Sequence, residues 1–148
     1  MIHFATRNFV VALFGALFAF AALAQPIYTG TFSNTAVSGY DTVSYHDGTP
    51  VEGSKDFSTE WRGANWQFSS AENLARFKQD PTRYAPAYGG YCAWAVGAKN
   101  DLVKGDPKHW SVVDGRLYLN FNKSVHDRWK TDIAGFIAKA DDNWPGLQ

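Results

Sequence analysis

The sequence is short of sulfur and of net charge. Cys92 is its only cysteine, and its 14 basic residues are balanced by 14 acidic ones. A single thiol cannot form an internal disulfide, so the chain is not a disulfide scaffold. No basic stripe provides the electrostatic footprint of a nucleic-acid-binding protein. These shortages argue against nucleic acid as a partner.

The catalytic motifs that can be recognised by spacing are also missing. The sequence contains no Gly-rich phosphate loop, no Ser–His–Asp order and no His-Glu-x-x-His helix. Asp141 and Asp142 are adjacent rather than facing, so they do not suggest an acid–base pair. We assign no catalytic residue, and an enzyme is the less favoured interpretation.

The N-terminus is strongly apolar. Arg7 precedes an apolar run from Phe9 to Ala24, which ends in the small-x-small pattern Ala22-Leu23-Ala24. This pattern is typical of a secretory signal peptide with a cleavage site. The run is shorter than the roughly 20 apolar residues that span a bilayer, so a retained anchor is less favoured. We expect a Sec-type signal peptide over residues 1–24, cleavage after Ala24, no stable membrane anchor afterwards, and a periplasmic or secreted protein.

The remaining residues are enough for one domain. Residues 25–38 are polar and without period, which predicts a leader of low order that docks through Ile27, Tyr28 and Phe32. Residues 39–148 form the predicted domain. Six Trp, seven Tyr and eleven Phe provide large buried surfaces for a core that has no disulfide.

Two turn signals predict two hairpins. Arg62-Gly63 separates the alternating stretches "DFSTEW" and "ANWQF", and Asp114-Gly115 separates "HWSVV" from "RLYLNF". A further short strand is predicted over residues 42–46, before a turn at Asp47-Gly48. We therefore expect a small antiparallel sheet built from two hairpins.

Three helices are predicted around this sheet. The first follows a cap at Ser69 or Ser70 and ends at Pro81. The second is a short apolar helix over residues 87–98, followed by a polar loop over 99–109. The third follows a cap at Asn122 and is marked by apolar residues at helical spacing: Val125, Trp129, Ile133, Phe136 and Ile137. The predicted fold class is a single α+β domain.

The two hairpin–helix units resemble each other at a spacing of 52 residues. The aligned pairs include Gly63 with Gly115, Arg76 with Arg128, and Asp80 with Asp132. An internal duplication and a chance similarity are both open interpretations.

The stretches "YDTVSY" and "FSSAENLARFKQDPTRY" resemble the YHS domain family. The family pattern begins with Asp-Pro-Val-Cys-Gly and continues with Phe-Cys-Ser. A further cysteine follows four residues after the cysteine of Phe-Cys-Ser, and Phe, Pro and Tyr then follow at fixed spacings. The corresponding residues here are Asp41, Val43, Ser44, Phe68, Ser69, Ser70, Asn73, Phe77, Pro81 and Tyr84. The resemblance covers residues 39–84, and the downstream sequence is similar to a bacterial exported subgroup of YHS-domain proteins.

The resemblance implies a small α+β module, and the family is associated with metal binding through its cysteines. Those cysteine positions are Ser44, Ser69 and Asn73 in this chain. Soft metals need thiolate, thioether or imidazole ligands, which hydroxyls and a carboxamide do not replace. The resemblance therefore implies the scaffold but not the usual metal site.

Cys92 lies in "YGGYCAWAVG" and leaves three interpretations open. In the first interpretation, Cys92 is a ligand of a soft metal such as copper or zinc, together with His109 and His126. In the second, it is a small buried hydrophobe, as free cysteine often is. In the third, it is a reactive thiol in the first turn of a helix.

Four tyrosines are candidates for lining a pocket around the same central segment. They are Tyr40, Tyr45, Tyr88 and Tyr91. We predict an exported, non-catalytic YHS-like binding module, with a soft metal ion such as copper as the candidate ligand. The alternative is an envelope module for protein interaction or structure, in which Cys92 is buried and binds no metal. A thiol-dependent redox enzyme is the third hypothesis, although Cys92 has no resolving partner cysteine.

Overall fold

The computed structural model describes residues 26–148, and the predicted signal peptide lies outside the described residues. Two antiparallel hairpins and several helices form one α+β domain, which confirms the predicted fold class. The hairpins form two separate two-stranded sheets rather than a single sheet. In the described part of the chain, every helix is too short or too polar to cross a bilayer.

The strands are β1 (Ser54–Trp61), β2 (Ala64–Phe68), β3 (Asp106–Val113) and β4 (Arg116–Asn120). The helices are α1 (Thr42–His46), α2 (Ala71–Gln79), α3 (Pro81–Tyr84), α4 (Ala93–Lys99), α5 (Lys123–Lys130) and α6 (Ile133–Asn143). Three short 3-10 turns complete the described part of the chain, over Ala36–Gly39, Ala87–Gly90 and Trp144–Leu147. Both predicted hairpins are confirmed, with turns at Arg62-Gly63 and Asp114-Gly115.

The strand predicted over residues 42–46 is wrong, because this segment is the helix α1. Asp41 precedes it, and its side chain accepts hydrogen bonds from the backbone N–H groups of Val43 and Ser44. This cap satisfies the first free donors of the helix, which outweighs the β preference of Thr42 and Val43.

The last helix was predicted as continuous, and the structure divides it into α5 and α6. Asp132 leaves the helical backbone region, with φ −153° and ψ 69°. Its carboxylate then accepts from the N–H of Gly135 and begins α6. The apolar spacing is common to both helices, which hides the break from a periodicity argument.

The helix predicted over residues 87–98 is divided in the same way. A 3-10 turn ends at Gly90, Tyr91 and Cys92 have non-helical backbone, and α4 follows. The polar loop predicted over 99–109 ends early, because β3 begins at Asp106.

The segment before α1 packs on the domain. Tyr28 donates its N–H to the Gly89 carbonyl at 2.9 Å, and Ile27 packs against the core. Phe32 is fully exposed, so the predicted docking through this residue is wrong. Ala36 and Val37 are buried, on the N-terminal side of the boundary expected at residue 39.

The two hairpins have the same design at an offset of 52 residues. β1 begins at Ser54 and β3 at Asp106, while β2 and β4 begin 52 residues apart as well. Both hairpins show a register irregularity at the same place. The turn residues Arg62 and Asp114 have nearly equal φ angles of 49° and 50°.

The helices repeat at the same offset. Ser70 caps α2 as Asn122 caps α5, and Asp80 caps α3 as Asp132 caps α6. The 3-10 turns before α1 and α4 repeat at an offset of 51 residues. We call residues 36–84 the first repeat and residues 87–143 the second repeat. The similarity in sequence is therefore matched by geometry.

The apolar core consists of two clusters that share β4. Leu117 and Leu119 belong to the cluster of the first repeat, with Phe68 and Phe77. Tyr118 belongs to the cluster of the second repeat. Successive side chains of a strand point to opposite faces, so β4 forms a wall of both clusters.

Candidate functional site

Asp41 is the polar centre of the first repeat. Its side chain is fully buried, with 0% exposure. Oδ1 accepts from the N–H groups of Val43 at 2.9 Å and Ser44 at 3.2 Å. These are free donors at the start of α1, where a negative charge is favourable.

Ser69 and Asn73 provide the remaining donors to Asp41. Oδ2 accepts from Ser69 N–H at 2.9 Å, from Ser69 Oγ at 2.6 Å and from Asn73 Nδ2 at 2.8 Å. A carboxylate has about four lone-pair sites. Five donors on two oxygens therefore leave no acceptor position for a metal ion.

The residues at the family's cysteine positions all contact this carboxylate. Ser44 donates its N–H to Oδ1 and its Oγ to the Asp41 carbonyl at 2.6 Å. Ser69 and Asn73 donate to Oδ2. These three residues do not fit a soft metal, because they act as hydrogen-bond donors to an anion. Within residues 26–148, no three His, Cys, Asp or Glu side chains gather as a metal-binding group.

Cys92 lies in the second repeat and is completely buried, with 0% exposure and a free thiol. The thiol donates to Asn120 Oδ1 at 3.6 Å, and the same oxygen accepts from Trp94 N–H at 3.1 Å. Burial raises the pKa of the Cys92 thiol, while the backbone N–H groups of Ala95, Phe121 and Trp94 lower it in part. The sulfur is therefore protonated at neutral pH and tightly enclosed.

The two candidate histidine ligands lie on β3 and α5. His126 Nε2 is 2.9 Å from Ser111 Oγ. Burial lowers the pKa of His126, and electrostatic repulsion from Lys130 lowers it further. Within the residues it describes, the structure does not assemble these two histidines with Cys92 into a metal-binding group.

The four candidate tyrosines lie in different parts of the molecule and do not line one common pocket. Tyr40 and Tyr88 line two separate pockets. Tyr45 is buried and donates its hydroxyl to the Pro107 carbonyl at 2.7 Å. Tyr91 packs beside Tyr28, with ring centroids 5.4 Å apart.

A pocket of about 450 Å³ lies next to Cys92, and we call it the Cys92 pocket. Its lining residues are Cys92, Trp94, Ala95, Lys99, Asp101, Val103, Phe121 and Val125. Asn120 Nδ2 and Trp94 Nε1 are buried, and neither has a hydrogen-bond partner among residues 26–148. Sequence reasoning selected Cys92 but missed the other lining residues.

One sequence signal pointed to Asn120. It aligns with Phe68 at the offset of 52 residues, so a polar side chain stands at a buried strand position. Buried polar groups are normally placed to make hydrogen bonds. Here the amide oxygen binds the thiol and the start of α4.

These features define a small α+β module in which each repeat places one polar or polarisable side chain before a short helix. The family model of the YHS domain matches residues 42–88, which confirms the resemblance seen in the sequence. This match covers most of the first repeat and about a third of the chain. A search of curated proteins gave no match, and a search of solved structures gave none either.

Proposed function

We propose that the chain is an exported, non-catalytic binding module whose ligand site is the Cys92 pocket. In this proposal the YHS motif of the first repeat has a structural role. The observation that carries the proposal is a difference between the two repeats. The Asp41 carboxylate has no free acceptor position, whereas the Cys92 pocket is open and apolar.

The size and lining of the Cys92 pocket support this proposal. Small-molecule sites are concave, mostly apolar and about 300–1,000 Å³ in volume, and the Cys92 pocket is about 450 Å³. Trp94, Phe121, Val103 and Val125 give it apolar walls. Such a site suits a small apolar molecule better than a metal ion.

The YHS family is associated with metal binding, which makes copper a candidate ligand. The arrangement around Cys92 does not favour copper. Cu(I) prefers soft thiolate and thioether ligands. Cys92 is the only cysteine in the chain, and its thiol is directed to an amide oxygen. The proposal therefore assigns the pocket to an organic ligand.

The test uses phenylnaphthylamine, a neutral apolar dye that fluoresces when it leaves water. We expect the folded chain to bind one molecule saturably. Val125→Trp places a large ring in the pocket and should abolish binding. Val51→Trp is the matched control, because Val51 is a partly exposed valine outside the pocket.

Two results would contradict the proposed function. Absence of saturable dye binding in the parent would favour an envelope module for protein interaction or structure. Near-stoichiometric copper or zinc in the protein purified without chelator, and its loss in Cys92→Ser, would restore metal binding as the function. Elemental analysis of both proteins measures this directly.

The exported location is tested separately. The protein expressed with its full N-terminus should appear in the periplasmic fraction, and N-terminal sequencing should begin at Gln25. A mature protein that retains residues 1–24 and sediments with membranes would contradict this part of the proposal.

A further inference from the structure

We infer that the ligand of the Cys92 pocket is a small amphipathic anion, with an aromatic or branched apolar body and one carboxylate or sulfonate group. This inference rests on the proposed function and adds the charge of the ligand to it. The observation behind it is a group of cations that lie on or beside the aromatic lining residues and have no acidic partner among residues 26–148.

Two of these cations lie over the ring of Trp94. Lys99 Nζ is 5.6 Å from the ring centroid and Arg128 Cζ is 5.1 Å from it. Lys104 is the third, with its Nζ 5.7 Å from the ring of Phe121. Lys99 itself lines the pocket, whereas Arg128 and Lys104 lie against the rings of two lining residues, Trp94 and Phe121.

None of these three cations forms an ion pair with a carboxylate in the described part of the chain. Neighbouring lysines differ in this respect, because Lys123 and Lys130 both pair with Asp127. Asp101 is the one carboxylate that lines the pocket, and its Oδ1 accepts from the N–H of Leu102 at 2.8 Å. Lys99 and Asp101 balance each other among the lining residues, so the excess positive charge beside the pocket comes from Arg128 and Lys104.

The apolar body and the charge of the ligand are thus expected at different depths. The uncharged aliphatic and thiol lining residues are Cys92, Ala95, Val103 and Val125. Lys99 and Arg128 are exposed, so their charges lie at the water boundary. An anion whose acidic group stays at the rim keeps part of its hydration and avoids the large cost of a buried charge.

The test compares two dyes that differ in one group. Anilinonaphthalene sulfonate is phenylnaphthylamine with an added sulfonate, and both are titrated into the parent protein. We expect the sulfonate to bind more tightly. Its affinity should fall as salt rises from low to physiological concentration, whereas the affinity of the neutral dye should not, because salt screens exposed charges.

Charge removal gives the second arm of the test. Lys99→Gln and Arg128→Gln should each weaken the sulfonate dye about two- to fivefold, as expected for an exposed charge pair, and leave the neutral dye unchanged. Lys139→Gln is the matched control, since Lys139 lies 5.8 Å over the ring of Phe136 on α6, outside the pocket. Circular dichroism and thermal melts verify that each variant is folded.

The outcomes separate this inference from the proposed function. One outcome overturns the anion inference and leaves the pocket function standing. In it, the neutral dye binds to the parent but not to Val125→Trp, while the sulfonate dye binds no more tightly than the neutral dye and its affinity does not change with salt. If neither dye binds saturably, both are overturned. Sulfonate binding that survives Val125→Trp places the anion site elsewhere and overturns the inference as well.

Discussion

Cys92 occupies in the second repeat the position that Asp41 occupies in the first. Each follows a 3-10 turn and directly precedes a short helix. The N–H groups acting on Asp41 belong to Val43, Ser44 and Ser69. Those acting on the Cys92 sulfur belong to Trp94, Ala95 and Phe121, at offsets of 51, 51 and 52 residues. One arrangement of backbone donors thus serves a carboxylate in one repeat and a thiol in the other.

The charge of Asp41 should be essential for stability. Asp41→Asn replaces one acceptor oxygen by a donor and sets it against Ser69 and Asn73, which also donate. We expect a loss of about 3–5 kcal/mol in the free energy of unfolding, as for other broken buried charge networks. Asp47→Asn is the control and should cost under about 1 kcal/mol, because the Asp47–Arg76 pair is exposed. Urea unfolding of both variants measures the difference, and equal effects would contradict the prediction.

A carboxylate should be tolerated at Cys92. In Cys92→Asp, the three backbone N–H groups near the sulfur can donate to the new carboxylate, as they do in the first repeat. We expect a folded protein that is destabilised by about 1–3 kcal/mol. Ala93→Asp, one residue further and equally buried, has no such donors and should not fold. If circular dichroism shows both variants unfolded, the backbone N–H groups near position 92 do not stabilise a carboxylate as those around Asp41 do.

The thiol of Cys92 should be unreactive in the native protein. It is fully buried and its pKa is raised by burial, so little thiolate is present or accessible at pH 8. Labelling with a coloured disulfide reagent should be slow and should accelerate in denaturant. Ala138→Cys in a Cys92→Ser background provides an exposed thiol on α6 for comparison. Equal labelling rates for the two native thiols would indicate that Cys92 opens to solvent.

Acid should destabilise the fold through His46. Burial lowers the pKa of His46, and Arg83 and Arg76 lower it further, although Asp47 opposes them. A folded-state pKa below the unfolded value of about 6.5 means that the unfolded chain binds more protons. The stability contribution is therefore complete above pH 6.5 and is lost as the pH falls below it.

His46→Phe tests this pH dependence. The new ring can keep the edge contact with Tyr84, whose centroid lies 5.2 Å from that of His46. The free energy of unfolding of the parent should fall between pH 7 and pH 5, and the variant should lose less over the same range. His126 still titrates in the variant, because burial lowers its pKa too. Parallel curves for the two proteins would exclude His46 as a source of the acid sensitivity.

The parts of the fold that sequence reasoning predicted are those encoded by neighbouring residues. Both hairpin turns place a residue with positive φ before a glycine, and such turns are specified within four residues. The error at α1 has the same local origin. Thr42 and Val43 favour a strand, but the side chain of Asp41 makes the first turn of a helix more stable.

The candidate site was only partly predictable. Cys92 was identifiable as the single thiol, but its partner Asn120 lies 28 residues away and meets it where Cys92 pairs with Leu119 of β4 in an isolated parallel bridge. The cations around Trp94 come from α4 and α5, which are separate in sequence. Periodicity and turn chemistry describe neighbours along the chain and cannot specify such contacts.

The sharing of β4 has a consequence for how this molecule unfolds. Its side chains alternate between the two clusters, with Leu117 and Leu119 on one side and Tyr118 on the other. Separating the repeats would expose Leu117 and Leu119 to water and remove them from the first cluster, at a cost of about 1.5–3 kcal/mol for each side chain. Despite its two repeats, the chain should lose its structure in a single cooperative transition. We therefore expect that the segment 42–88, which the family model matches, does not fold on its own.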